Sequence, residues 1–396
     1  MAEPTNTPMP TAPPTPRSTS PVPGVARSSI AGSTLVPPKL ITIATTAAAA
    51  SASPAPGKKP VVLHVGDPVR YNLQTYQEFA AEFDVVRPSA EERQRPAFVQ
   101  ALREKRWGDF VAIFRPFWGT GGEMGNWDAE LIGLLPDSVR VFASAGAGFD
   151  WADTKLLAEK GIVYCNGGLA AAEAVSDFAV AMIVSTFRVL PYCISSAPDQ
   201  TAFRDCHASA TAQSHNLRAT TLGLVGLGNI GQQIAHKCYA AFGMEVAYFD
   251  VERKPAALEE KLRVSFRPSL EQLVRVSDCV VLCAPAVAGC VIDAKSLSWF
   301  RPGARLVNVA RGSLVDEEAL ADALEREQLA GIALDVHADE PAVHPRLLAF
   351  ARSKALLTCH NAGGTVETHV GFEELAMRNI LAVLAGRPAI TPVNLQ

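Results

Sequence analysis

No C-x-x-C pair occurs among the eight cysteines, which stand singly at Cys165, Cys193, Cys206, Cys238, Cys279, Cys283, Cys290 and Cys359. That spacing argues against a zinc ribbon and a disulfide ladder, and a reducing, cytoplasmic setting is the simplest expectation. Positive charge is not in excess either: 36 Lys and Arg against 40 Asp and Glu leave a formal net charge of -4. Without surplus cations there is nothing to track a phosphate backbone or an anionic bilayer, so no nucleic acid and no membrane partner is expected, and a small molecule is favoured. No uninterrupted apolar run reaches the roughly 18 residues of a membrane-spanning helix, because residues 40–52 are diluted by Thr and Ser; a soluble protein is expected.

What is present is enough chain, 396 residues with 48% hydrophobic and 19% charged, to bury two cores. Residues before Lys58 hold 12 of the 28 prolines amid Ser, Thr and Ala. They show no helical or strand period, so residues 1–59 are expected to form a disordered tail. Arg17, Arg27 and Lys39 against the single acid Glu3 give the tail a faint transit-peptide composition, which its proline density opposes; mitochondrial targeting is the alternative to a cytoplasmic location.

From Pro60 onward short apolar runs alternate with amphipathic stretches. Residues 61–65, 84–86, 111–114, 139–143 and 162–165 read as strands, and residues 71–83 and 151–160 as helices. Strands separated by helices imply parallel sheets, hence an α/β fold. Residues 170–190, rich in Ala and branched aliphatics without a polar face, predict a long helix buried on several sides at a domain boundary. A second α/β block runs from residue 221 to about residue 360, with no internal repeat of fixed short period.

In that block the apolar run 221–225 flows into Gly226-Leu227-Gly228-Asn229-Ile230-Gly231, and residues 232–242 read as a helix. Gly226 permits a tight turn, Gly228 lets backbone approach a pyrophosphate, and Gly231 lets helix pack on strand, while the helix N-terminus offers N–H groups to the anion. The next strand, 245–249, ends in Asp250, where a carboxylate accepts from the adenosine ribose hydroxyls and repels the 2′-phosphate of NADP. NAD is therefore the expected cofactor, with Arg253 the group that would turn toward a phosphate.

Three further segments follow: Asn308-Val309-Ala310-Arg311-Gly312-Ser313, Leu334-Asp335-Val336-His337-Ala338-Asp339-Glu340-Pro341, and Thr358-Cys359-His360-Asn361-Ala362-Gly363-Gly364-Thr365. In order and approximate spacing they resemble the D-2-hydroxyacid dehydrogenase family over residues 60–392. Residues 100–110 and 143–151 are similar to its fungal D-mandelate dehydrogenase branch. The resemblance implies two doubly wound parallel-sheet domains, a Rossmann-type cofactor domain (residues 167–364) and a flavodoxin-like substrate domain (residues 60–166 plus 365–396), in a homodimer.

The resemblance also implies roles. Arg311 corresponds to the arginine that holds the substrate carboxylate, His360 to the acid/base that serves the C2 oxygen, and Glu340 to its carboxylate partner. Asp335 corresponds to the acid that orients the nicotinamide carboxamide, Ala284-Pro285 and Ala310 to turns lining the cofactor cleft, and Ala145 and Gly146 to the loop whose N–H groups meet the substrate carboxylate. Glu340 disfavours formate as substrate, since formate dehydrogenases carry glutamine there. Cys359 departs from the proline common before the histidine, and the aromatic region 114–118 is unusual. Phe114, Phe117, Trp118, Trp127 and Phe149 are candidates to line a bulky apolar pocket or to be core. His337, Glu340 and His344 could suggest a metal site, but hydride transfer requires no metal and none is expected.

These residues imply an NAD-dependent 2-oxo acid reductase for a bulky apolar or aromatic substrate of the mandelate and phenylglyoxylate type. A glyoxylate or hydroxypyruvate reductase is the nearest alternative, and an NAD(H)-sensing binding protein the non-enzymatic one. A phosphoglycerate role is disfavoured by the lack of an evident basic cluster.

Overall fold

The computed structural model describes residues 58–117, 119–286 and 289–395. The expected tail therefore lies, but for its last two residues, outside the described residues, as does Trp118. Among the described residues twelve strands form two sheets. The first contains β1 (Val61–His64), β2 (Asp84–Val86), β3 (Ala112–Arg115), β4 (Val141–Ser144) and β5 (Val163–Cys165), in the order β2-β1-β3-β4-β5. The second contains β6 (Thr221–Val225), β7 (Glu245–Phe249), β8 (Val264–Phe266), β9 (Cys279–Leu282), β10 (Ala304–Asn308), β11 (Leu329–Leu334) and β12 (Ala355–Leu357). Its order is β12-β11-β10-β9-β6-β7-β8. All pairings are parallel.

Both sheets are covered on two faces, which is why their inner strands are apolar without alternation. β3, β4, β9 and β10 are buried at every position. Core clusters lie on either side of the seven-stranded sheet and on either side of the five-stranded one. In such sheets the winding direction reverses at one point, opening a crevice at the carboxyl ends of the strands. In the larger sheet that point falls between β6 and β9, so the glycine turn after β6 and Ala284-Pro285 after β9 face each other there.

The long helix forms over Gly168–Phe187. Contrary to the sequence expectation, it is long and apolar enough to cross a membrane by length and composition. It packs inside the protein against helix Asn229–Lys237, helix Val366–Leu384 and strands β10 and β11. It stops short of residue 190 because Val189 takes a left-handed conformation (φ 42°), after which helices Leu190–Ser196 and Gln200–Gln213 form. Neither was anticipated.

Helix Val366–Leu384 returns the chain to the five-stranded sheet, packing on β3, β4 and helix Leu73–Glu82. Its fully buried Glu373 accepts from the backbone N–H groups of Arg70, Tyr71 and Asn72. A carboxylate some 300 residues away in sequence thus satisfies the N–H groups of the segment that enters helix Leu73–Glu82.

Candidate active site

The glycine turn is built for close approach. Gly226 has φ 99°, and a Cβ there would press on Ala284 at 3.1 Å. A Cβ on Gly231 would overlap the Gly226 carbonyl, whereas Gly228 faces open space. The helix begins at Asn229, three residues earlier than the pattern suggested, with Gly228 as its N-cap, so its first N–H groups lie directly beyond the turn. Asp250, just past β7, accepts from the Leu227 N–H at 2.9 Å and pairs with Lys254 at 3.2 Å. Arg253 is bound bidentately to Glu259 (2.9 and 2.8 Å) and stacks on Phe266, so it is not turned toward Asp250.

The charged groups sit beyond the carboxyl ends of β10, β11 and β12. Asn308, the last residue of β10, accepts from Ala310 N–H (3.0 Å) and donates from Nδ2 to the Arg311 carbonyl (2.9 Å), fixing the turn that carries Arg311. Asp335 is 1% exposed. Its carboxylate accepts from Thr358 Oγ1 (2.7 Å) and from the N–H groups of Asn361 (3.0 Å) and Ala362 (2.8 Å), while its carbonyl accepts from His360 N–H (2.6 Å). His360 adopts φ 53°, a left-handed conformation that costs a non-glycine residue on the order of 1 kcal/mol, and the Asp335 bonds hold it there.

The His360 ring meets Glu340 at 2.8 Å through Nδ1. Burial opposes ionisation of Glu340, but hydrogen bonds from His360 and from the His337 backbone outweigh it and hold its carboxyl below the usual carboxylate range. Arg311 pairs through Nε with Asp150 Oδ1 at 2.9 Å and donates from Nη1 to the Ala310 carbonyl. Asp316, a conceivable surface partner for it, instead caps helix Glu317–Glu325. A Cβ on Gly148 would overlap the Arg311 guanidinium, so a side chain there would displace the arginine lying across it.

These groups converge on a cavity of about 770 Å³ between the two sheets. From the seven-stranded sheet it is lined by Gly228, Asn229, Ile230, Ala284, Pro285, Ala310, Arg311, Asp335 and His360, and from the five-stranded sheet by Gly146, Ala147, Gly148, Phe149 and Asp150. Gly226, Gly231, Asp250 and Glu340 stand behind this lining and act on it through the residues they touch.

Some expectations require correction. Ala145 is buried and its N–H is already bonded to the Arg115 carbonyl at 2.7 Å, continuing the β3–β4 ladder, so it has no donor for a substrate; Gly146 and Ala147 are the lining residues. Phe114 and Trp127 are core, at 0% and 1% exposure, and Phe117 is buried against His369 and Arg70. Of the aromatic candidates described, Phe149 lines the cavity. Asp150, Asn308, His369 and Phe372 were not singled out. The first two lay in motifs already quoted, while nothing local marks the two on helix Val366–Leu384. Among the described residues no group of three or more His, Cys, Asp or Glu is arranged to hold a metal ion; His344 pairs with Glu318 instead.

The family model described as D-isomer specific 2-hydroxyacid dehydrogenase, NAD binding domain, matches residues 180–362. A glyoxylate reductase from Thermococcus gammatolerans is 34% identical over 271 residues, 67% of this chain and 79% of the relative. A 4-methyl-2-oxopentanoate reductase A from Aspergillus oryzae is 30% identical over 302 residues, 76% of this chain and 88% of the relative. The crystal structure of holo D-mandelate dehydrogenase from Rhodotorula graminis superposes with a TM-score of 0.81 at 38% identity, covering 85% of this chain and 98% of that one. The chain therefore belongs to the D-isomer specific 2-hydroxyacid dehydrogenase family and is an oxidoreductase with an NAD-binding domain.

Proposed function

We propose that this enzyme interconverts 2-oxo acids and D-2-hydroxy acids that carry a bulky apolar or aromatic side chain, using NAD(H). The observation that carries the chemistry is the 2.8 Å His360–Glu340 pair on the same cavity as Arg311. The turn fits a dinucleotide: Gly228 leaves open space at the N-terminus of helix Asn229–Lys237, and Gly226 and Gly231 tolerate no side chain. When bound, the reduced nicotinamide supplies the hydride, with its electron pair, that reaches C2. His360, whose Nδ1 is occupied by Glu340, serves the C2 oxygen from Nε2, giving a proton in reduction and taking it in oxidation. Arg311 holds the substrate carboxylate beside the small Gly146–Gly148 loop, its planar fork suited to bidentate contact.

NAD rather than NADP is supported by Asp250 and by the engagement of Arg253 with Glu259. A bulky apolar side chain is supported by Phe149, Phe372 and Val175 in the cavity wall. The similarity to a glyoxylate reductase favours a small substrate as the second reading. NADH oxidation measured side by side on phenylglyoxylate, 2-oxoisocaproate, hydroxypyruvate and glyoxylate separates the two. Higher kcat/KM on the first pair is expected; turnover confined to the second pair overturns the bulky-substrate reading.

A further inference from the structure

We propose that His337 is a positioning residue, a buried imidazole that ties the Arg311 turn, Glu340 and the chain leading to His360 into one unit. This rests on the roles given above to those three residues. His337 is 5% exposed and lies in the loop after β11, between the other two segments. Its backbone N–H donates to Glu340 Oε1 at 3.1 Å, while Glu340 Oε2 meets His360 Nδ1 at 2.8 Å. Its ring Nε2 lies 2.8 Å from the carbonyl of Thr358, two residues before His360. On its other side the backbone of Gly312, next to Arg311, is so close that a Cβ there would overlap the His337 carbonyl.

The ring contact is the one that requires histidine. A carbonyl oxygen only accepts, so Nε2 carries the proton and donates to Thr358. The other nitrogen, Nδ1, gains no hydrogen bond among the described residues and faces Glu317 Oε1 at 3.9 Å. Leaving a buried polar atom unpaired is costly, and an apolar residue would avoid it. The imidazole is therefore explained by what Nε2 holds. Thr358 is clamped twice, its carbonyl by His337 and its hydroxyl by Asp335, so the left-handed His360 is presented from a fixed stem. Asp335 holds the turn after His360 and His337 holds the approach before it.

The test compares wild type, His337→Phe, His337→Gln and His360→Ala for kcat, KM of the 2-oxo acid, NADH affinity, Tm and the pH profile of kcat/KM. Phenylalanine keeps the ring and the backbone N–H but loses the donor to Thr358. A slight displacement of the acid/base then costs about tenfold to a hundredfold in kcat, with KM and NADH affinity unchanged and the pH profile displaced. Glutamine, whose amide N–H reaches the place of Nε2–H, restores most of the rate and the wild-type profile. Wild-type kcat and profile in His337→Phe overturn the proposal, as does an equal loss in both variants accompanied by lower Tm and weaker NADH binding. If the phenylalanine variant does not fold, a folded His337→Gln that has lost kcat is sufficient to overturn it. Activity retained by His360→Ala, or absent from wild type, brings down the underlying reading as well. An active wild type and inactive His360→Ala beside a normal His337→Phe bring down only this one.

Discussion

Each sheet places a histidine at the carboxyl end of its strands, in opposite surroundings. His360 follows β12 on the cavity wall, bound to a carboxylate. His64 ends β1 at 1% exposure, its ring 4.7 Å from that of Phe114. Burial pushes the His64 imidazole from its ordinary 6.5 down to about 4, against a backbone hydrogen bond at Asp67 and with Arg87 and Arg93 adding to it. In the proposed mechanism the first side chain exchanges protons with the substrate, whereas burial favours the neutral form of the second. The contrast extends to the sheets around them. Around the cavity the seven-stranded sheet holds charged groups through side-chain bonds to backbone, at Asn308 and Asp335, whereas the five-stranded sheet supplies shape, at Gly146, Gly148 and Phe149, and a single ion-pair partner, Asp150.

The contrast is tested most severely by removing each histidine. His360→Ala should lower kcat by about 10²–10⁴-fold with Tm and NADH affinity unchanged, as read from steady-state rates and a binding titration. His64→Leu should leave kcat alone. Comparable losses in the two variants would erase the distinction.

His64 should appear instead in stability against pH. Between about 6.5 and 4 the unfolded chain binds a proton there that the folded chain does not, so stability is greatest above this window and falls as pH drops through it. The full difference is about 3 kcal/mol. Urea midpoints at neutral pH and at about pH 4 should separate strongly in wild type and less in His64→Leu; equal separation would mean that His64 is not the group responsible.

The same division explains what could be read before folding. Strand periods, the glycine turn and the Arg311, Glu340 and His360 segments are local patterns, and all of these segments lie where the strands and turns were expected. The Arg311–Asp150 pair joins residues 161 positions apart, and no local pattern specifies it. Ala145 was misread because a loop of small residues does not reveal which N–H the sheet ladder has already taken. For Phe114 and Trp127 the sequence leaves pocket and core both open; the register of β3 turns Phe114 into the core, and Trp127 packs there on Phe98 and Phe142. The start of helix Leu190–Ser196 is not legible in the sequence because the break before it depends on the left-handed Val189, a conformation without a sequence signal in a branched residue.

Two glycines sharpen the comparison between the sheets. Gly148→Ala places a Cβ into the Arg311 guanidinium and should raise KM for the 2-oxo acid by about tenfold to a hundredfold with NADH affinity intact. Gly231→Ala presses on the Gly226 carbonyl and should weaken NADH binding instead. Gly133→Ala, with open space around its Cβ position, is the silent control. Equal effects of the first two on both ligands would show that the sheets do not divide the work.

The smallest effect concerns the ion pair that joins the sheets. Asp150 and the substrate carboxylate call on the same guanidinium, so Asp150 both orients Arg311 through Nε and competes with the ligand. Both side chains are partly exposed, 25% and 47%, so the charge term is screened and modest. Asp150→Asn keeps an oxygen acceptor for Nε and removes the charge, so orientation survives while competition weakens. KM for the 2-oxo acid should then fall by about two- to fivefold, with kcat unchanged and the difference shrinking as salt is added. Asp150→Ala removes the acceptor as well and should raise KM. If both substitutions move KM in the same direction, orientation and competition are not separable at Asp150.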